Sequence, residues 1–186
     1  MTNFKKKLDE IIRVDHAGEH GAKVIYSGQI AALKLKKDKE TLKIVKHMKE
    51  QEDVHFDYFD KKIKEKRVRP TIMQPIWSVG GFAMGFVSAM LDKKAAMVCT
   101  TAVEETIDKH YQEQLEFLSK EEKHLETEKK EEITDLKIKI EKFRQEELEH
   151  RDIGYENQAK DLPYFKPLSS FIKCTTKFAI AVSKRI

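Results

Sequence analysis

Apolar residues recur every three or four positions along four long stretches of this chain, the spacing of one buried helix face. Over residues 4–36 the stripe runs Ile12, His16, Glu19, Ala22, Tyr26, Ile30, Leu33. Over 38–66 it runs Leu42, Val45, Met48, Glu52, His55, Phe59, Ile63. Over 93–121 it runs Met97, Thr100, Glu104, Ile107, Tyr111, Leu115, Leu118. Over 128–158 it runs Ile133, Leu136, Ile140, Phe143, Glu147, His150, Gly154. No stretch keeps the alternation of a strand, and only 7 Gly and 4 Pro interrupt the chain, so the expected fold is all-α. The 186 residues suffice for one domain, 1–186, with a real core.

Each stripe passes through an acidic residue where a helix should bury an apolar one. Register selects among neighbours: Glu104 lies on its stripe and Glu105 does not; Glu147 lies on its stripe and Glu146 and Glu149 do not. The order is Glu19, then Glu52-x-x-His55, then Glu104, then Glu147-x-x-His150. An ionised carboxylate buried alone is very costly, so four on core faces need a cation. A chain that is 37 % charged will place a Glu near many positions by chance, and one Glu-x-x-His is weak. Two pairs, two singles, their alternation and four agreeing registers are specific. They match the ligand set of ferritin-like di-iron or di-manganese bundles.

Residues three apart share a helix face, so each Glu and His pair can hold one metal. The expected arrangement has Glu52 and Glu147 bridging two iron ions, His55 and His150 one on each, and Glu19 and Glu104 terminal. Imidazole with carboxylate suits iron, and positions left open suit oxygen activation. Asp15 is a candidate hydrogen-bond partner for one of the histidines. Tyr111, two turns from Glu104, reads either as core packing or as a residue that gates electrons or touches substrate. Gly18 and Gly21 each cost about 1 kcal/mol against Ala inside a helix, which makes sense where a backbone or ligand approaches. His20, His47 and His124 read as surface residues.

Two further segments change the picture. Residues 70–91, PTIMQPIWSVGGFAMGFVSAML, carry no charge. Their length would permit a spanning helix, but Pro70, Pro75, Gly80, Gly81 and Gly85 would break or weaken one. The segment reads as an interfacial or re-entrant element with Trp77 at headgroup level, against the alternative of a buried crossover in the bundle. Residues 166–185 read as an amphipathic helix, with Leu168, Phe171, Ile172, Thr175, Phe178, Ala179 and Val182 on one face and Lys173, Lys177 and Lys184 on another. Membrane binding and packing on the bundle are both open for it. Lys120 to Glu132 reads as a solvated helix end and loop.

The net charge of +4 is too mild to suggest nucleic acid. Cys99 and Cys174 stand alone and read as reduced thiols. Met1 to Glu10 is basic but lacks the apolar core of a signal peptide, which points to an intracellular protein.

Four stretches, IIRVDHAGEHGAKVIYSGQ at 11–29, RVRPTIMQPIW at 67–77, VEETIDKHY at 103–111 and FRQEELEHRDIG at 143–154, resemble the demethoxyubiquinone hydroxylases of coenzyme Q biosynthesis. The resemblance runs from about Ile11 to the C-terminus and looks like the short bacterial form. It departs at His20, where an aromatic Tyr is expected, and between Glu52 and His55. It implies a membrane-associated di-iron monooxygenase that hydroxylates the ring of a 2-polyprenyl-3-methyl-6-methoxy-1,4-benzoquinone with O2. It implies the same six ligands, Glu19, Glu52, His55, Glu104, Glu147 and His150. His110 and Tyr111 are similar to a pair implicated in reductive activation, with NADH as reductant, although no Gly-rich nucleotide fingerprint is present. The partners implied are the polyprenyl quinone, a membrane surface, and a second copy or other ubiquinone-biosynthesis proteins. The expected place is peripheral, on the cytoplasmic face of the cell's inner membrane. The alternatives are a ferritin-like iron-storage or peroxide-scavenging bundle, which has no need of the uncharged segment, and a metal-free helical membrane adaptor, which has no need of four Glu on core stripes.

Overall fold

The computed structural model describes residues 3–186, and every regular element among them is helical. The order is α1 (Asn3–Lys36), α2 (Lys39–Lys66), α3 (Gln74–Leu91), α4 (Lys93–Glu122), α5 (Thr127–Glu156), a short 3-10 turn (Ala159–Asp161) and α6 (Phe165–Ser183). The four long helices α1, α2, α4 and α5 form a ferritin-like bundle, with α1 paired to α2 and α4 to α5. Their ends are set locally. Asp38 accepts the Thr41 N–H at 3.1 Å to cap α2, and Asp92 accepts the Lys94 N–H at 2.7 Å to cap α4. Arg67 stops α2 in the left-handed conformation.

The periodic stripes are the buried faces. The α5 stripe coincides residue for residue with that helix's buried set, Ile133 to Gly154. Along the other three stripes only Ile30, Leu42 and Leu115 are half-buried rather than buried. Helix α1 buries a second face as well, with Ile11, Val14, Ile25, Gly28 and Ala32, because α3 packs along it.

Helix α3 takes up most of the uncharged stretch 70–91. Pro70 lies before it, and Pro75, Gly80, Gly81 and Gly85 leave a continuous 18-residue helix. Pro75 sits in its first turn, where the missing N–H has no helical partner to lose. The glycines set the approach to α1. A Cβ on Gly85 would overlap the Ile25 carbonyl oxygen, and one on Gly28 would overlap that of Phe82. The two backbones therefore meet through hydrogen-only positions, which offsets the helix propensity the glycines give up. The opposite face of α3 is apolar and open to solvent: Ile76, Val79, Phe82, Val87, Met90 and Leu91 are all exposed. Among the described residues no helix is long and apolar enough to cross a membrane.

Helix α6 divides the two readings left open for it. Ser169 and Ile172 are buried, the helix packing mainly on α4, while Phe171 and Phe178 are exposed. Lys173 and Tyr155 both reach Glu105, tying α6 and α5 to α4. Trp77 donates Nε1–H to Ser183 Oγ at 3.1 Å and meets Phe178 edge-on, which joins the start of α3 to the end of α6.

Candidate metal centre

The six acidic and imidazole residues of the stripes converge at mid-bundle. Glu19 comes from α1, Glu52 and His55 from α2, Glu104 from α4, and Glu147 and His150 from α5; each is at most 1 % exposed. They form two groups that share two members. Glu19, Glu52, His55 and Glu147 bring one ligand atom each to within 4.8 Å of one another, and so do Glu52, Glu104, Glu147 and His150. Each group could hold a cation, with Glu52 and Glu147 common to both. His55 Nδ1 lies 3.2 Å from Glu147 Oε1 and 3.4 Å from Glu19 Oε2. His150 Nδ1 lies 3.1 Å from Glu52 Oε1 and 3.3 Å from Glu147 Oε2.

Charge is unbalanced here. Burial, then the charges of the neighbouring glutamates, push the carboxyls of Glu52 and Glu104 well above their ordinary range. Burial works against a charged His55, but the Glu147 and Glu19 carboxylates facing its Nδ1 prevail and push it up to about 12. Glu147, despite burial, is held low by the two imidazoles. Protein partners still leave buried oxygens unmatched: Glu19 Oε2, both oxygens of Glu52, Glu104 Oε2 and Glu147 Oε1. Unmatched carboxylate oxygens this deep are costly, and a pair of cations is the chemistry that fits them.

The cluster is built by reciprocal exchange between two halves, α1–α2 and α4–α5. Tyr26 on α1 donates its hydroxyl to Glu104 on α4 at 2.7 Å. Tyr111 on α4 donates to Glu19 on α1. His55 on α2 has Glu146 of α5 on its outer nitrogen, and His150 on α5 has Gln51 of α2. The last two correct the expected role of Asp15. That carboxylate meets neither histidine; its Oδ1 accepts from Gln114 Nε2 at 2.6 Å, and Gln114 also lies 2.9 Å from His110 Nε2. Gln51, Glu146 and Tyr26 were not singled out as neighbours of the cluster. The signal was present in their spacing, since Gln51 and Glu146 each precede a paired Glu, and Tyr26 and Tyr111 each follow a single Glu by seven residues. His20 is also not a free surface residue: its Nε2 lies 2.7 Å from Ser78 Oγ, linking α1 to α3. His47 and His124 are exposed, as expected.

An apolar cavity of about 560 Å³ runs from the cluster to the outside between α1, α3, α4 and α6. Glu19, Asp15, His110 and Tyr111 are among its few polar walls; Glu104 and Tyr26 do not touch it. Gly18 and Gly21 line it with nothing within 4 Å of the positions their Cβ atoms would take, so these glycines leave room beside Glu19. His110 also lines a small pocket on the far side, with Lys7 and Lys184, and burial, then those two charges, push its imidazole down to about 4.

The model of the family described as "Ubiquinone biosynthesis protein COQ7" matches residues 6–183. The chain belongs to the COQ7 family. A relative named "3-demethoxyubiquinol 3-hydroxylase", from Rhodospirillum rubrum, is 47 % identical over 179 residues, which is 96 % of this chain and 78 % of that protein. Two relatives named "NADPH-dependent 3-demethoxyubiquinone 3-hydroxylase, mitochondrial" cover the same 96 % of the chain: that of Dictyostelium discoideum at 45 % identity over 77 % of its own length, and that of Homo sapiens at 44 % over 78 %. The buried convergence of Glu19, Glu52, His55, Glu104, Glu147 and His150 thus sits inside a stretch shared by a COQ7 family whose named members hydroxylate a quinone precursor.

Proposed function

We propose that this chain is a di-iron monooxygenase that hydroxylates the benzoquinone ring of a 2-polyprenyl-3-methyl-6-methoxy-1,4-benzoquinone, in its quinol or quinone form, with O2. The observation that carries this reading is the apolar cavity that ends on Glu19 and Tyr111 beside the four-carboxylate, two-imidazole cluster. An iron-storage bundle has use for the cluster but none for such a cavity.

The residues present fit two irons. Glu19 and His55 would serve one and Glu104 and His150 the other, with Glu52 and Glu147 common to both. When bound, the pair supplies oxygen activation and the electrons that reduce one oxygen atom to water. The chain supplies the rest. Tyr111 fixes the orientation of Glu19 at the cavity wall by its hydroxyl donation. The apolar lining excludes water and seats the ring, since pockets of roughly 300–1,000 Å³ suit a small ligand. That volume holds the ring and only the first part of a long polyprenyl tail. The remainder would leave along the exposed apolar faces of α3 and α6, which we assign to a membrane surface on the cytoplasmic side of the cell membrane. His110 lines both the cavity and the small outer pocket, which supports a part for it in reduction. The names of the relatives point to NADPH as the reductant in place of the NADH that the family resemblance suggested. In this reading the chain acts as one domain.

The decisive experiment is a quinone profile. Cells whose sole copy carries Glu104→Ala should accumulate the demethoxy quinone and hold little ubiquinone; normal ubiquinone in that strain would remove the hydroxylase reading. The membrane assignment is tested apart from it, because Val79→Glu with Met90→Glu should release the protein from membranes with iron retained, and unchanged sedimentation would return α3 to a protein-packing role.

A further inference from the structure

Behind each histidine of the cluster stands one hydrogen-bond acceptor, and the two acceptors differ in charge. His55 turns Nδ1 to the carboxylates and sets Nε2 2.7 Å from Glu146 Oε2. His150 turns Nδ1 inward in the same way and sets Nε2 2.9 Å from Gln51 Oε1. With Nδ1 given to a metal, each ring keeps its proton on Nε2 and donates it outward.

The acceptors occupy equivalent positions. Glu146 precedes Glu147 on α5 and serves the histidine of α2; Gln51 precedes Glu52 on α2 and serves the histidine of α5. Their chemistry is not equivalent. A carboxylate draws the ring proton toward itself and makes the imidazole a stronger electron donor; an amide oxygen does so far less. Lys142 faces the other oxygen of Glu146 at 3.5 Å, but its side chain is 59 % exposed, so water screens its opposing charge. The same half is distinguished a second time, because the cavity reaches Glu19 and not Glu104.

Resting on the two-iron reading above, we propose that Glu146 and Gln51 are positioning residues that make the two metals unequal, so that the metal beside His55, on the cavity side, holds its ferric state more strongly than the metal beside His150. One electron given to the two-ferric centre by dithionite then reduces the metal beside His150, and a second electron reduces the metal beside His55. The cavity-facing metal is the last to be reduced and the first from which an electron leaves.

The test is a stepwise dithionite titration of the purified, iron-loaded protein, with iron content measured first and the half-reduced form followed by electron paramagnetic resonance. Wild type should take up two electrons in two separated steps. Glu146→Gln keeps an acceptor at His55 but removes the charge, so its second step should move to higher potential and close the gap. Gln51→Glu should move the first step to lower potential and also close the gap. Glu146→Gln that loads iron as wild type does, with both steps unmoved, overturns the proposal. If Glu146→Gln does not load iron, Gln51→Glu decides, and an unmoved first step there overturns it equally. Wild-type protein that takes up no iron overturns the two-iron reading and this inference together; loaded wild type with unmoved variants overturns the inequality alone.

Discussion

The α1–α2 half and the α4–α5 half carry the same pattern, Glu followed by Glu-x-x-His, and fold it to the same place. They differ in what packs outside. Helix α1 receives α3 along a face of Gly28, Gly81 and Gly85, close enough for backbone to meet backbone. Helix α4 receives α6 through ordinary side chains such as Ile172. Between these two unlike additions the cavity opens, and of the six clustered residues it reaches Glu19 alone, with Tyr111 beside it. A near-symmetric bundle is thereby given one working side. The repeated Glu and Glu-x-x-His pattern gives the cluster two like halves, and the two added helices decide which half borders the cavity.

Removing a shared carboxylate should break the comparison most severely. In the two-iron reading, Glu147→Ala removes the carboxylate that both groups share and leaves Glu52 facing Glu19 and Glu104. Iron measured per chain should fall from about two to near zero. Glu104→Ala touches one half only and should leave about one iron, on the Glu19 and His55 side. Equal losses in the two variants would show that the halves do not bind separately.

Filling the cavity should come next. Gly18→Leu places a branched side chain in open space beside Glu19, where nothing now lies within 4 Å of the Cβ position. Turnover of the demethoxy quinone should drop by about 100-fold, the scale of misplacing a substrate by an ångström, while iron content stays at the wild-type level. Unchanged turnover would place the substrate elsewhere than in this cavity.

These contrasts also mark what could be read before the fold was known. The stripes carried both helix boundaries and ligand register, because burial of one helix face is a local, periodic constraint; α5 follows it at every position of Ile133 to Gly154. Propensity alone does not account for the glycines of α3. Their purpose lies in α1, at Gly28 and Ile25, about sixty residues away in sequence. Asp15 was assigned to a histidine for a similar reason: it lies one turn from Glu19, but its side chain points to α4 and finds Gln114. Gln51 and Glu146 lie off the stripes, so register passes them over, yet both lean across to a histidine of the opposite helix. Contacts between helices far apart in sequence were the part that periodicity did not carry.

The smallest effect expected concerns His110, the polar residue on the cavity wall that also reaches the outer pocket. Burial, then Lys184 and Lys7, push its imidazole down from 6.5 to about 4 in the folded protein. Below pH 6.5 the unfolded chain therefore binds a proton that the folded chain refuses. Stability falls as pH drops from about 6.5 toward about 4, by up to roughly 3 kcal/mol at the limit, and stops falling on this account below that range. His110→Gln keeps a polar side chain and removes the proton, so thermal unfolding followed between pH 7 and pH 5 should lose part of its slope in the variant. Lys184→Gln should remove a lesser part, because that charge only adds to the effect of burial. Identical slopes in wild type and His110→Gln would mean that the imidazole takes up its proton in the folded state, and would remove the neutral ring from the cavity wall.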